Sequence, residues 1–247
     1  MQITQMDSRT VECRMCGNKF DCPVSKVLGM ELVASICDAC SRTYEDARNA
    51  EIREQYMRGR TERLRAAFAK ACPSGMFTCD LVKLPCSKVK YQEIFAFGFP
   101  GGKGLVVHGV KGTGKTRAMW QLAKRLVFDE AQQVTVLRDV ELGRRIERSY
   151  EEHGAGHDRL IAALSRVPFL FVDDLGKAKL TPRVESDLFD IIDSRYANEL
   201  PTVYTTQFTG DSLIKRFGCL ETGEAILRRL RESCVSIHLA ATKEVAK

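Results

Sequence analysis

No apolar run in this sequence approaches the roughly 18 residues that a membrane-spanning helix requires. The opening stretch, MQITQMDSRTVEC, carries no apolar segment of the secretory kind, so no cleaved leader is expected. A soluble, cytoplasmic protein is the expectation. Charge of a single sign is also scarce. The 38 Lys and Arg residues exceed the 32 Asp and Glu by only six, a balance that suits nucleic acid without proving it. Cysteine, by contrast, is plentiful. Ten cysteines in a cytosolic chain point to metal ligation or buried thiols rather than disulfides. At 247 residues, 44% of them hydrophobic, the chain can form one large domain or a standard domain with a small appendage.

The stretch with the most chemical content is LVVHGVKGTGKT, Leu105 to Thr116. Its apolar start predicts a strand ending at Gly109. Val110, Lys111, Gly112, Thr113 and Gly114 then form a glycine-rich loop, and Lys115, Thr116 and Arg117 open a helix. This is the phosphate-binding pattern G-x-x-x-x-G-K-[ST] with a strand before it and a helix behind. The glycines allow backbone N–H groups to turn inward toward an anion, and the helix N-terminus adds partial positive charge. Lys115 is placed to reach the β- and γ-phosphates, and the Thr116 hydroxyl to ligate Mg²⁺. A nucleoside triphosphate is the expected ligand.

Upstream, Cys13-Arg-Met-Cys16 and Cys37-Asp-Ala-Cys40 are two C-x-x-C pairs, 20 residues apart. Each sets two thiolates on a tight turn, and the four together can supply a tetrahedral zinc site that holds a short segment folded. A redox role for the pairs is the weaker alternative, because no thioredoxin-like strand precedes either. Cys22 is a possible substitute ligand or a small buried side chain. Asn18-Lys19-Phe20-Asp21 reads as the guanine-recognition motif N-K-x-D. It stands before the phosphate loop and between the cysteine pairs, so GTP is rejected.

Residues 41–71 form a charged helical pattern rich in arginine, with narrow apolar pairs at Ile52/Tyr56 and Leu64/Phe68 separated by Gly59-Arg60. Such a stripe suits a docking arm or a plain solvated helix. Cys72-Pro73-Ser74-Gly75 then breaks it. Cys72, Cys79 and Cys86 contain no C-x-x-C among them and are read as linker or core thiols. The resulting division is a zinc segment at 1–40, a helical arm and linker at 41–90, and a catalytic domain at 91–247.

From Tyr91 onward strand and helix alternate, which predicts an α/β domain on a parallel sheet. The predicted strands are the apolar run from Leu105 that ends at Gly109, Val134 to Leu137, Pro168 to Asp174, Thr202 to Thr206 and Cys234 to Leu239. A helix starting at Thr181-Pro182 has the N-cap and first-turn proline that favour initiation. The strand ending in Asp173 and Asp174 is a second chemical element. An acid at the carboxyl edge of a buried strand, downstream of a phosphate loop, is placed to hold Mg²⁺, and its neighbour to orient or deprotonate water.

With these pieces in order, the chain resembles the AAA+ ATPases of the DnaC/DnaI helicase-loader and IstB-like group. The resemblance covers about residues 91 to 240. It rests on GVKGTGKT, FLFVDDLG, IIDSRYANELPTVYTTQ and GEAILRRLRE, of which the first two are generic to P-loop ATPases. It implies a P-loop AAA+ core with a five-stranded parallel sheet and, since the chain stops soon after the last strand, no C-terminal lid. It also implies Gln207 at the sensor-1 position, where relatives carry Asn. Asp174 then replaces a usual catalytic Glu, which bears on the hydrolysis rate. Arg229 is implied as an arginine finger completing a neighbour's site in a homo-oligomer, ahead of Arg228 and Arg231. Arg195 matches a family arginine for which a structural role is equally open. Arg144, Arg145 and Arg148 become candidate contacts to single-stranded DNA, against the alternative of an exposed helix face; no aromatic stacking platform accompanies them.

The function so implied is an ATP-dependent loader that grips a replicative hexameric helicase with its zinc segment and single-stranded DNA with its ATPase domain. ATP hydrolysis is expected to be slow and stimulated by assembly or DNA. Two alternatives stand beside it: an IstB-like transposition helper assembling on DNA, and a nucleotide-gated DNA-binding scaffold.

Overall fold

The computed structural model describes residues 8–27, 30–78, 86–151 and 156–241. Two compact units divide the chain, residues 1–60 and residues 61–247. Cys79 and the centre of the turn between His153 and His157 lie outside the described residues. Among the described residues, no helix is long and apolar enough to cross a membrane.

In the first unit, β1 (Ser8–Glu12) and β2 (Lys19–Pro23) form an antiparallel hairpin in which Thr10 faces Asp21. A second small hairpin joins β3 (Ser25–Val27) to β4 (Met30–Leu32). Helix α1 (Asp38–Ala71) begins next and runs without interruption through Gly59. Its apolar residues in this unit, Tyr44, Ile52, Tyr56 and Met57, are all exposed. The Asn18–Asp21 motif belongs to the β1–β2 hairpin, with the Asn18 carbonyl accepting from Cys13 N–H.

The second unit holds the sheet. Strands β5 (Gly104–His108), β6 (Val134–Arg138), β7 (Phe169–Asp173), β8 (Thr202–Thr206) and β9 (Cys234–His238) lie in the order β6-β7-β8-β5-β9, all parallel. Helices cover both faces, so the central strands read as continuous apolar or β-branched runs; all five residues of β8 are buried. Side chains alternate between two cores. Leu105, Val107, Phe171 and Val203 face α4 (Lys115–Phe128) and α3 (Lys88–Phe95), together with Phe68 at the end of α1. Leu170, Val172 and Tyr204 face α5 (Asp139–Glu151), α6 (Gly156–Arg166), α7 (Pro182–Ala197) and α9 (Leu220–Ser233), with the short α8 (Asp211–Ile214) beside them. The Thr181 hydroxyl caps α7 by accepting from Val184 N–H at 3.5 Å.

The expected linker behaves differently from a linker. Leu64 packs against the core, Phe68 is buried in it, and α2 (Ser74–Phe77) lies along α4. There the Gln121 amide donates to the Met76 and Phe77 carbonyls, and Lys124 Nζ donates to Phe77 O at 3.0 Å over the Phe77 ring. Cys72 and Cys86 are buried thiols of this core. Residues 61–78 therefore sit with the second unit, because their aromatic side chains find apolar partners there.

Candidate nucleotide and metal sites

Strand β5 delivers the chain into the phosphate loop. Gly109 has φ +154°, and a Cβ there would lie 2.3 Å from the Leu239 carbonyl, so only glycine lets the loop leave beneath the end of β9. Gly114, at φ +88°, caps α4 from the left-handed region. Lys115 is buried, and its Nζ donates to the Gly109 and Val110 carbonyls at 2.8 Å each. Burial pulls its ammonium below the usual lysine range, while Asp174 and Asp173 act in the opposite direction.

Asp173 ends β7, only 3% exposed. Thr116 Oγ1 donates to its two carboxylate oxygens at 2.9 and 3.1 Å, and Thr205 Oγ1 donates to Oδ1 at 2.5 Å. Burial pushes the Asp173 carboxyl up, against the two hydroxyl donors. A hydroxyl and a carboxylate oxygen side by side are the hard donors that Mg²⁺ takes, so the residues present fit that ion. Asp174 follows in the left-handed region at φ +61°, its N–H bonded to Thr205 Oγ1 at 2.8 Å. Its carboxylate pairs with Lys177 Nζ at 2.7 Å.

A cavity of about 370 Å³ joins these parts. Lys111, Gly112, Gly114, Lys115, Thr116 and Arg117 line it from the loop and α4, and Asp174, Lys177 and Gln207 from the ends of β7 and β8. Arg117 Nε is buried and finds no hydrogen-bond acceptor among the described residues. Two lining residues had no signal in the sequence reading, Met76 from α2 and Lys177 from the turn after β7. Lys177 is the first basic side chain after the paired acids, with Lys179 two residues further on.

The expected accessory residues fall elsewhere. Arg229 lies on α9, where its Nε donates to Asp193 Oδ1 at 2.6 Å, and it is not among the residues lining its own chain's cavity. Arg228 and Arg231 are exposed on the same helix. Arg195 is buried, and of its two readings the structural one fits. It donates to the carbonyls of Leu164, Val167 and Pro201 at 2.7 to 3.0 Å and to Thr202 Oγ1 at 2.7 Å. On α5, Leu142 and Ile146 are buried while Arg144, Arg145 and Arg148 are exposed, with Arg145 held by Glu141 at 2.6 and 3.1 Å.

In the first unit the sulfurs of Cys13, Cys16, Cys37 and Cys40 all lie within 4.8 Å of one another, and Cys16 and Cys37 are 3.9 Å apart. Four thiolates at the Zn–S distance of about 2.3 Å stand about 3.8 Å from each other in a tetrahedron, so the set fits zinc. Cys13 Sγ accepts the Cys37 N–H at 3.4 Å. Backbone donors of this kind lower the Cys13 thiol to about 6, and hydrogen bonding with the neighbouring sulfurs pushes Cys40 up to about 12. A cation among the four would relieve that crowding of negative charge. Cys22 is buried on β2 and is not part of the cluster.

A phosphate loop on the central part of a parallel five-stranded sheet, facing paired acids at the end of β7, defines a P-loop ATP-binding domain of the AAA+ class. The IstB-like ATP binding protein family matches residues 96–243, more than half of the chain, and the chain belongs to that family. It is 27% identical to the replicative helicase loader DnaI of Bacillus subtilis (strain 168) over 124 residues, 50% of this chain. The match spans 39% of that relative's length. The structure is similar to that of the DnaC helicase loader, with a TM-score of 0.56 at 20% identity over 68% of this chain and 99% of that one. It is likewise similar to the structure of DnaI, with a TM-score of 0.54 at 22% identity over 68% of this chain and 94% of that one.

Proposed function

We propose that the protein is an ATP-hydrolysing loader of a replicative helicase. One observation carries the reading. A four-cysteine segment precedes, in the same chain, an ATP-binding domain similar in sequence to the helicase loader DnaI and in fold to both DnaI and DnaC. In this reading Lys115 binds the β- and γ-phosphates, and Thr116 and Asp173 hold Mg²⁺. Asp174 accepts the proton of the attacking water, and Gln207 orients it. Arg229 serves the site of the next subunit. The zinc segment grips the hexameric helicase, and Arg144, Arg145 and Arg148 face single-stranded DNA, so that ATP state controls grip and release.

A second reading, an IstB-like transposition helper, rests on the name of the matching family alone. Full-length protein used as bait in extract of its source cell separates the two. A hexameric helicase retained by the intact chain, and lost when residues 1–60 are removed, supports the loader; a transposase retained instead supports the helper. Removal should stop at Arg60, because Leu64 and Phe68 belong to the core of the ATP-binding unit. Lys115→Ala should abolish nucleotide binding or hydrolysis, and Asp174→Asn should keep ATP bound while slowing its hydrolysis. Parental hydrolysis by Lys115→Ala would reject the site.

A further inference from the structure

We propose that Lys177 is a second phosphate-binding cation, supplied in cis, that contacts the terminal phosphate and so selects nucleoside triphosphate over diphosphate. The proposal deepens the ATP-binding reading of the same cavity and rests on it.

Position comes first. In a bound triphosphate the phosphate-loop backbone amides would cradle the inner phosphates and Lys115 would reach the last two, with Thr116 able to hold a metal beside them. The terminal phosphate therefore points toward the opposite wall, where Asp174, Lys177 and Gln207 stand together. Of the described cationic residues lining the cavity, Lys111, Lys115 and Arg117 belong to the loop or to α4, and Lys177 alone comes from that opposite wall.

The turn that carries Lys177 is fixed, and the side chain is not. Leu175 N–H bonds to Thr205 O at 2.8 Å, the Gly176 carbonyl accepts Arg216 Nε at 2.6 Å, and Ala178 N–H bonds to the buried Asp139 at 2.8 Å. Lys177 N–H closes the turn on Asp174 O at 3.0 Å. The backbone thus holds Lys177 in the cavity wall, while its side chain is 58% exposed and, among the described residues, paired only with the Asp174 carboxylate. An exposed ion pair of this sort is weak and readily exchanged, and a triphosphate carries more negative charge than one carboxylate.

The exchange has a consequence for chemistry. With Lys177 on Asp174, the carboxylate is occupied by an ammonium; with Lys177 on the terminal phosphate, the carboxylate can accept a proton from water. Recognition of the third phosphate and release of the base are then one movement of one side chain. Lys177 touches substrate in this account and positions Asp174 only indirectly.

The test uses full-length protein with Mg²⁺, comparing affinity for ADP and for a non-hydrolysable ATP analogue in the parent, Lys177→Ala and Lys177→Arg. Lys177→Ala should lose about tenfold of the preference for the triphosphate analogue, as expected for one charged contact. Its ADP affinity and nucleotide-free melting temperature should stay unchanged, and Lys177→Arg should retain most of the preference. Equal weakening of both nucleotides, or an unaltered ratio, overturns the proposal while leaving the ATP site intact. A parent that binds neither nucleotide overturns the ATP-binding reading and this inference with it.

Discussion

Arg229 Nε donates to Asp193 Oδ1 at 2.6 Å, and its guanidinium carbon lies 4.4 Å from the centre of the Tyr196 ring. Glu232 adds a longer contact at 3.3 Å. The side chain is thus latched between α7 and α9, and a role at a neighbour's ATP site requires it to leave. If Arg229 acts in trans, Arg229→Ala should still bind ATP and hydrolyse it poorly, and mixing with Lys115→Ala protein should restore part of the rate. The Lys115→Ala subunits would donate their arginine to intact loops. Loosening the latch with Asp193→Asn should raise hydrolysis a few-fold at low protein concentration. Phosphate release measured against concentration checks this, and a rate strictly proportional to concentration with no rescue on mixing would reject the shared site.

The cysteine cluster makes a sharper demand, because a small two-hairpin unit buries little apolar surface and leans on its metal. Purified protein should carry one zinc per chain. Cys37→Ser should lose it while the ATP-binding unit keeps its thermal transition and its affinity for ATP. Cys22→Ala should retain the metal, since its sulfur stands outside the cluster. Elemental analysis of the three proteins decides the matter, and a zinc-free parent would sink the assignment.

What could be read in the sequence followed from how local the chemistry is. The phosphate loop needs contiguous residues, so Gly109 through Thr116 announced both the loop and its flanking strand and helix. The paired acids did the same for the end of β7. Sheet order was not legible, because the neighbour of β5 is decided by packing among strands 30 to 130 residues away. The role of residues 61–78 was hidden for a related reason. Leu64 and Phe68 are too few to mark a core face, and nothing about Met76 says that a nucleotide cavity lies beside it. Lys177 was passed over because a lysine in a turn is usually a solvated one. Arg195 was ambiguous until its five-donor fork was seen spending itself on backbone carbonyls.

Asp173 sets stability against function. Burial raises its carboxyl above the ordinary range, so its contribution to folding is fully present below the unfolded value and is lost as pH rises through the folded one. At neutral pH the ionised side chain therefore costs stability. Asp173→Asn should raise the nucleotide-free melting temperature by about 2–4 °C, corresponding to about 1 kcal/mol, while abolishing Mg²⁺-dependent hydrolysis. The gain should shrink as pH falls and the parental carboxyl takes up its proton. Thermal melts of both proteins at pH 7 and near pH 4 check the sign, and a less stable Asn variant at pH 7 would contradict it.

The arginines of α5 can be weighed one against another. Arg144 and Arg148 are exposed, whereas Arg145 is forked onto Glu141 through both Nε and a terminal nitrogen. A phosphate must compete with that carboxylate for Arg145 and, among the described residues, meets no such competitor at the other two. Each side chain that neutralises one phosphate of a single strand steepens the fall of log affinity against log salt by about 0.7. Arg144→Ala and Arg148→Ala should each reduce the measured slope by about that amount. Arg145→Ala should reduce it less, and Glu141→Gln should strengthen binding by releasing Arg145. Oligo(dT) titrations followed by fluorescence anisotropy at several salt concentrations, with ATP affinity as the control, measure all four. Slopes identical to the parent in every variant would leave α5 a solvated helix face and move the DNA path elsewhere on the domain.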